Sequence, residues 1–453
     1  MSVQLQSSPA DDRRNARKAL ALELVQAALA AVEPGAAVRA HVRLVDGSLF
    51  VDGQPYDLAA IDHIYVVGAG KASAPMAQAI EGILDDRITG GVVSVKYGYT
   101  APTRRIQIDQ AGHPIPDERA IQATRKMIDL LELAGPNDLV MCLISGGGSA
   151  LMVAPVPGVT LTDERRLVNA LLRSGTTINE LNTVRKHLSQ VKGGGLARLA
   201  APATVVTLIL SDVLGNPLDV IASGPTVPDP TTFVDAWDVL QRYGLLDDLP
   251  PTIAQRLQDG LAGRVPDTAK PGDPIFDRTR NVVVASNAHA VQAAVERARL
   301  AGRNPLLLST FVEGEAREVA KVFAAIGREL WRSSQPVPLP AVIVAGGETT
   351  VTIKGQGRGG RNQEFALSAA IQLVGVDEVT IMAVATDGTD GPTDAAGAIV
   401  DGTTVERARA LGLDPRTALV DNDSYPFFQK LGDLVVTGPT NTNVDDLYVV
   451  IAG

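Results

Sequence analysis

Short apolar runs rich in β-branched residues alternate with longer stretches of helical period along most of the chain. Ile61–Val67, Gly91–Lys96, Asp138–Ile144 and Val205–Ser211 read as strands, and Ala72–Leu84 and the region of Ala120–Leu133 as helices. These strands are apolar nearly throughout, without polar alternation. That pattern suits parallel sheets covered by helices on both faces, so the expected fold class is α/β. Residues 247–274 break the rhythm: Pro250, Pro251, Pro266, Pro271 and Pro274 surround a polar helical piece. A second series follows, with strands at Asn281–Ala285 and Pro305–Ser309 and helices at Ala288–Ala301 and Glu315–Trp331. Pro336, Pro338 and Pro340 then precede a strand at Ala341–Val344. The pattern predicts one domain over residues 1–250 and another over 275–453.

The length of 453 residues agrees with two or three domains. With 45% hydrophobic and 20% charged residues there is ample material to bury, which excludes a mostly disordered chain. A net charge of −10 and 4% aromatic residues argue against a nucleic-acid binder. The one cysteine, Cys142, lies inside an apolar run and reads as a buried thiol; no intrachain disulfide or cysteine zinc site can form. The start from Ser7 to Arg14 lacks the basic-then-apolar order of a signal peptide. Ala19–Val32 is interrupted by Glu23 and Gln26 and reads as an amphipathic core helix, too short and polar to span a bilayer. A cytoplasmic protein without a membrane partner is expected, and a homodimer stays open.

Glycines cluster where strands end, the place at which open α/β sheets bind ligands. In Gly68-Ala69-Gly70-Lys71-Ala72-Ser73 a turn opens a helix with a lysine at its start, which favours an anion or is simply a tight turn. The dinucleotide fingerprint fails at its third glycine, which is Ser73, and the next strand ends in Lys96 instead of an acidic residue. Ser145-Gly146-Gly147-Gly148-Ser149 reads as a cradle for phosphate or carboxylate. Arg185, Lys186 and His187 lead through Lys192 to Gly193-Gly194-Gly195; taken alone they suit a solvated helix face. Asp212 leaves an apolar strand, as a catalytic base, a magnesium ligand or a helix cap would. Glu348 follows Gly346-Gly347, and Arg358 and Arg361 stand in the glycine-rich loop 355–360 and at the helix it opens, suited to bidentate phosphate recognition. Asp387 and Asp390 end another strand with spacing closer to a magnesium site than to an EF-hand. Asn441 and Asn443 lie in a last polar loop. This mixture of anion-binding loops, cations and strand-end carboxylates is what phosphoryl transfer uses.

The motifs GAGKAS, LISGGGSAL, LNTVRKHLSQVKGGGLA, LSDVLGNPLDVIASGPTVPD, GGETTV, GRGGRNQEFAL, TDGTDG and TGPTNTNV, spread from about Ala16 to the end, resemble the class II glycerate 2-kinases. The last portion resembles that family's "multi-organism fragment with rich leucine" domain. The resemblance implies a larger N-terminal Rossmann-like parallel sheet with helices on both faces and a smaller C-terminal α/β domain with a mixed sheet. It implies transfer of the γ-phosphoryl group of ATP to D-glycerate with Mg2+, giving 2-phosphoglycerate. It also implies a polar core of Lys71, Asp212, Glu348 and Arg361, with Asn441 or Asn443 nearby. Nucleotide or substrate contacts are expected from Gly70, Ser145, Gly146, Gly147, Gly148, Ser149, Arg185, Lys186, Gly193, Gly194 and Arg358, and metal contacts from Asp387 and Asp390. Two rivals remain: an NAD(P)H-dependent hydroxypyruvate reductase, a label some of this family carry, and a nucleotide-binding regulatory protein without turnover.

Overall fold

The computed structural model describes residues 9–453; Ser7 and Ser8 of the start lie outside the described residues. Two compact units emerge, one of residues 34–284 and one combining the N-terminal stretch to Glu33 with residues 285–453. The division therefore falls after Val284, beyond the proline-rich segment, and the first helix belongs with the C-terminal unit. The reason lies in tertiary ion pairs. Arg17 of helix Pro9–Ala31 is buried, pairs with Glu378 at 2.9 Å and donates to Thr380 Oγ1 at 3.3 Å. Lys18 pairs with Asp433 at 3.0 Å and Asp401 at 3.3 Å.

In the unit of residues 34–284, a sheet runs in the order Ile106–Ala111, Ile88–Lys96, Ile64–Ala69, Leu139–Ile144, Thr204–Leu210, Thr279–Ala285. The first five pair in parallel. Counted along the chain the order is 3-2-1-4-5-6, the doubly wound arrangement whose topological switch point lies between strands 1 and 4. Ile64–Ala69 and Leu139–Ile144 are buried along their whole length, which explains their unbroken apolar sequence. A second core gathers under helices Leu161–Arg173, Ile178–His187, Phe233–Arg242 and Pro251–Leu261. The expected polar helical piece in 247–274 is the last of these, held by buried Ile253 and Leu257.

The same unit begins with a small antiparallel sheet, Val42–Val45, Ser48–Val51 and Gln54–Asp57, which the hydrophobic pattern does not announce. Its two turns are Asp46-Gly47 and Asp52-Gly53, all four residues at positive φ, so the Asp-Gly pairs were the readable signal.

In the other unit the sheet order is Asn304–Glu315, Ala341–Thr350, Asp446–Ala452, Val379–Ala385, Gly397–Asp401, Leu434–Val435. The first pair is parallel and the others antiparallel, a mixed sheet as expected. Phe323, Phe365 and Tyr448 stack between sheet and helices, with ring centroids 4.7–5.6 Å apart. No single helix among the described residues is long and apolar enough to cross a membrane.

Candidate active site

At the switch point two strand ends are pressed together. A Cβ on Gly68 would lie 2.2 Å from Leu143 O, and one on Gly70, at φ +146°, 2.1 Å from Ser145 Oγ. Only glycine permits this approach. The contact takes up the amides from Gly70 to Ser73, where the turn leads into helix Ser73–Leu84. Gly70 N–H donates to Ser94 O (3.1 Å), Lys71 N–H to Gly146 O (2.9 Å), Ala72 N–H to Ser145 Oγ (2.9 Å) and Ser73 N–H to Gly70 O (3.3 Å). Four amides of the expected anion site are thus bonded within the protein, and Gly70 acts in packing. What remains of it is the Lys71 ammonium, half-buried, whose charge is felt at His113.

The loop after strand Leu139–Ile144 is more open to a ligand. Ser73 Oγ donates to Leu143 O at 3.1 Å, so in its 3.1 Å contact with Ser145 the proton comes from Ser145. Ser223 Oγ donates to Asn182 Oδ1 at 3.0 Å, so in the 2.8 Å contact with Ser149 the proton comes from Ser149. Both serine protons are spent inside the protein, and Gly148 N–H donates to Ser145 O. The Gly146 and Gly147 amides donate to no backbone carbonyl among the described residues. The Ser149 amide likewise has no backbone acceptor there, so three amides of the five-residue stretch read from sequence are not taken up by backbone carbonyls.

Around them stand two side chains. The carboxylate of Asp212, two residues beyond strand Thr204–Leu210, packs on Gly146, where a Cβ would sit 2.0 Å from its Oδ2. His113 packs on Gly147, whose Cβ would lie 2.7 Å from Nε2. Burial, then the positive charges of Lys71 and Lys96, bring the imidazole down to about 4, so it is neutral at pH 7. Sequence reasoning missed His113; its place in the loop after strand Ile106–Ala111, another strand end, was the available signal.

These groups line a cavity of about 400 Å³ in which helices Leu161–Arg173 and Ile178–His187 set aliphatic Val168, Leu172, Ile178 and Leu181 beside charged Glu164 and Arg165. Arg185 lines it, and its Nη2 donates to Ser149 O at 3.1 Å. Behind the loop, buried Lys192 donates to Ser149 O (3.0 Å) and Met152 O (2.8 Å). Burial, and then the adjacent Arg185 charge, lower its amine to about 7. The segment Ala222-Ser223-Gly224 on the cavity's flank has three consecutive positive φ values, 50°, 62° and 62°. Strain of that kind persists only where the surroundings enforce it.

The surroundings include residues assigned from sequence to ligand. Gly193 N–H donates to Ser223 O (2.9 Å) and Gly194 N–H to Gly224 O (2.8 Å), so this triple glycine braces the strained turn instead of holding phosphate. Lys186 is buried against Asp229 (3.3 Å) and Asp219 (3.6 Å), and His187 against Asp267 (3.0 Å). The face expected to be solvated is interior; of Arg185, Lys186, Gly193 and Gly194, Arg185 alone lines the cavity.

The other unit holds its own polar cluster. Arg361 opens helix Arg361–Gln372 and forks onto buried Asp446, Nε to Oδ2 at 2.7 Å and Nη2 to Oδ1 at 3.0 Å, while Nη1 meets half-exposed Glu348 at 2.7 Å. Burial opposes the guanidinium charge, but the two carboxylates hold its pKa above the usual arginine range. Asp446, absent from the sequence reading, stays buried because Asn362 Nδ2 also donates to it at 2.9 Å. Its signal was a carboxylate at the start of a wholly apolar strand.

The aspartates expected to hold magnesium each accept backbone amides already. Asp390 accepts Asn362 N–H on Oδ1 (3.1 Å) and Gln363 N–H on Oδ2 (2.8 Å), capping the Arg361 helix; burial lifts its carboxyl to about 6. Asp387 Oδ1 accepts from Thr389 N–H at 2.9 Å in a local turn. No group of three or more His, Cys, Asp or Glu suited to a metal ion occurs among the described residues. The 355–360 loop also has an internal counterpart. Its amides donate to Asp421, Asn422 and Asp423, and the Arg358 guanidinium lies 4.0 Å over the Tyr425 ring. Its glycines allow backbone to pack on backbone, a Cβ on Gly355 falling 2.2 Å from Asp421 O. The loop with Asn441 and Asn443 is stitched to the Asp387 strand end through Thr440 and Thr386: Thr440 Oγ1 donates to Thr386 O at 2.6 Å and Val444 N–H to Thr386 Oγ1 at 2.9 Å.

Residues 20–258 match the family described as a domain of unknown function, DUF4147, and residues 341–446 match the MOFRL family. The glycerate 2-kinase of Pyrococcus horikoshii is 43% identical over 433 residues, 95% of this chain and 96% of that one. A protein of Agrobacterium vitis, named only provisionally as a hydroxypyruvate reductase, is 48% identical over 390 residues, 86% of this chain and 87% of that one. The crystal structure of a glycerate kinase (EC 2.7.1.31) from Thermotoga maritima superposes with a TM-score of 0.88 at 41% identity, covering 97% of this chain and 100% of that one.

Proposed function

Because the chain belongs to the glycerate kinase family, whose DUF4147 and MOFRL parts it carries in order, we propose that it is a glycerate 2-kinase. It transfers the γ-phosphoryl group of ATP to the 2-hydroxyl of D-glycerate, giving 2-phosphoglycerate and ADP. The observation that carries this reading is the meeting of Asp212 with the Gly146 and Gly147 amides, which donate to no backbone carbonyl among the described residues, at the switch point. Phosphoryl transfer needs little covalent help from protein; it needs in-line positioning and quenching of charge on the phosphoryl oxygens. The two amides and the Lys71 ammonium supply fixed positive ends for those oxygens. Asp212 accepts the hydrogen bond of the glycerate hydroxyl and aligns its oxygen for attack. Neutral His113 offers a donor or acceptor without adding charge.

Arg361 serves a different part in this reading. Its fork is occupied by Asp446, so a phosphate or carboxylate of the substrate displaces Glu348, the exposed partner, and leaves the buried pair intact. ATP as co-substrate follows from the reaction class. Asp390, with both oxygens engaged by amides at the start of helix Arg361–Gln372, does not fit the magnesium expected with it. A cytoplasmic location suits both substrates.

The name of the Agrobacterium relative keeps the reductase in view, yet the amides a pyrophosphate would need at Gly70–Ser73 are bonded internally. The test is purified protein with ATP and D-glycerate, the phosphate position read by phosphorus NMR. A 2-phosphoglycerate signal is expected. Steady NADH oxidation with hydroxypyruvate and no phosphoester would replace this reading with the reductase.

A further inference from the structure

The cavity beside the Gly146–Gly147 amides is too large and too apolar for the acceptor. It measures about 400 Å³, within the range of about 300–1,000 Å³ for pockets that enclose drug-sized ligands. A three-carbon hydroxy acid carries oxygen on every carbon and has no apolar face to set against Val168, Leu172, Ile178, Leu181 and Val213. A flat heteroaromatic ring has two apolar faces and a polar edge. We propose that this cavity takes the adenosine half of ATP, an assignment that rests on the kinase reading.

Three features say how it would be held. Val168, Leu172, Ile178 and Leu181 sit on two helices, Leu161–Arg173 and Ile178–His187, and the strand-end loop lines the same space, so the ring is bordered by separate elements. The side-chain amides of Asn169 and Asn182 offer donors and acceptors to the ring edge and ribose. Arg185 lines the same cavity, its guanidinium anchored through Nη2 on Ser149 O at 3.1 Å, and so adds a fixed positive charge beside the phosphate-bearing end of a bound nucleoside. Because Gly146 and Gly147 line the same cavity, a nucleoside placed there hands its phosphates to those amides without leaving protein. The hydroxy acid is then left to the Asp212 side of the loop.

Ile178 gives a test that does not depend on turnover. Its side chain lines the cavity yet is 57% exposed, so Ile178→Trp is expected to fold. The chain has only two tryptophans, Trp237 and Trp331, which Ile178→Trp/Trp237→Phe/Trp331→Phe removes, leaving a single reporter. Adenosine and ADP should each quench or shift its emission saturably, and neither tripolyphosphate nor D-glycerate should. In the otherwise native enzyme, Val168→Trp, which fills the cavity, should raise KM for ATP at least about tenfold and leave KM for D-glycerate within about threefold. An emission change with glycerate or tripolyphosphate but none with adenosine would overturn the assignment, as would a KM effect on glycerate alone. A saturable adenosine signal in a protein that makes no 2-phosphoglycerate would keep the cavity as a nucleoside site and discard the kinase reading. The reverse result would keep the kinase and discard the cavity.

Discussion

Gly146→Ala should separate catalysis from stability. Gly146 has an ordinary backbone conformation, so alanine adds no strain there. The new Cβ would lie 2.0 Å from Asp212 Oδ2, 2.6 Å from Cγ and 3.1 Å from Oδ1. Ordinary contact begins near 3.4 Å, so the carboxylate must recede by about 1.4 Å. The clash falls on the end of a rotatable side chain and leaves the core untouched. A misplacement of about 1 Å in a catalytic group costs on the order of 10²-fold in rate. We therefore expect kcat for ATP-dependent phosphorylation of D-glycerate to fall by about that factor, with the thermal midpoint within a few degrees of wild type. Asp212→Asn should fall by a similar amount, and the double variant should be little worse than either alone. Gly70→Ala is the contrasting control. There φ is +146°, and the added Cβ meets Ser145 O at 2.5 Å, so the loss should be of stability. A Gly146→Ala enzyme that folds and turns over within about threefold of wild type would refute Asp212 as the group orienting the acceptor.

Lys71→Ala should lower kcat by about 10²–10³ with an unchanged melt, since a fixed positive charge near the transferred group is removed; normal turnover would remove it from the site. Arg361→Met leaves buried Asp446 without its ion pair and should cost about 3–5 kcal/mol in urea unfolding, whereas Glu348→Gln, breaking the half-exposed pair, should cost less than about 1 kcal/mol. Equal losses would contradict that division. Lys192 gives a pH signature. Its amine titrates near 7 in the folded protein against 10.5 unfolded, so the unfolded chain binds more protons between those values and stability rises with pH across that window, by up to about 5 kcal/mol. Lys192→Met should flatten the difference in stability between pH 7 and pH 9, and an unchanged slope would rule the amine out as its source. Burial pushes the Cys142 thiol up to about 12, so it should resist a disulfide reagent at pH 8 until denaturant is added.

Much of this molecule is written in local sequence. Unbroken apolar runs such as Leu139–Ile144 can only be strands covered on both faces, and they marked the parallel sheet and its strand ends directly. Gly146, Gly147 and Asp212 were legible because a glycine or carboxylate leaving such a strand must stand at the sheet's edge. What local sequence does not carry is the partner of each polar group. The glycine loops at 145–149, 193–195 and 355–360 look alike as strings, yet the first packs against Asp212 and His113, the second braces Ser223 and Gly224, and the third gives the amides from Gly355 to Arg358 to Asp421, Asn422 and Asp423. Asp390 looks like a metal ligand until helix Arg361–Gln372 arrives to be capped by it. Buried donors and acceptors must find partners, and those partners are brought from up to hundreds of residues away by the packing of the whole chain. Apolar periodicity sets where the chain turns inward; only the folded arrangement decides which polar groups are left over for chemistry.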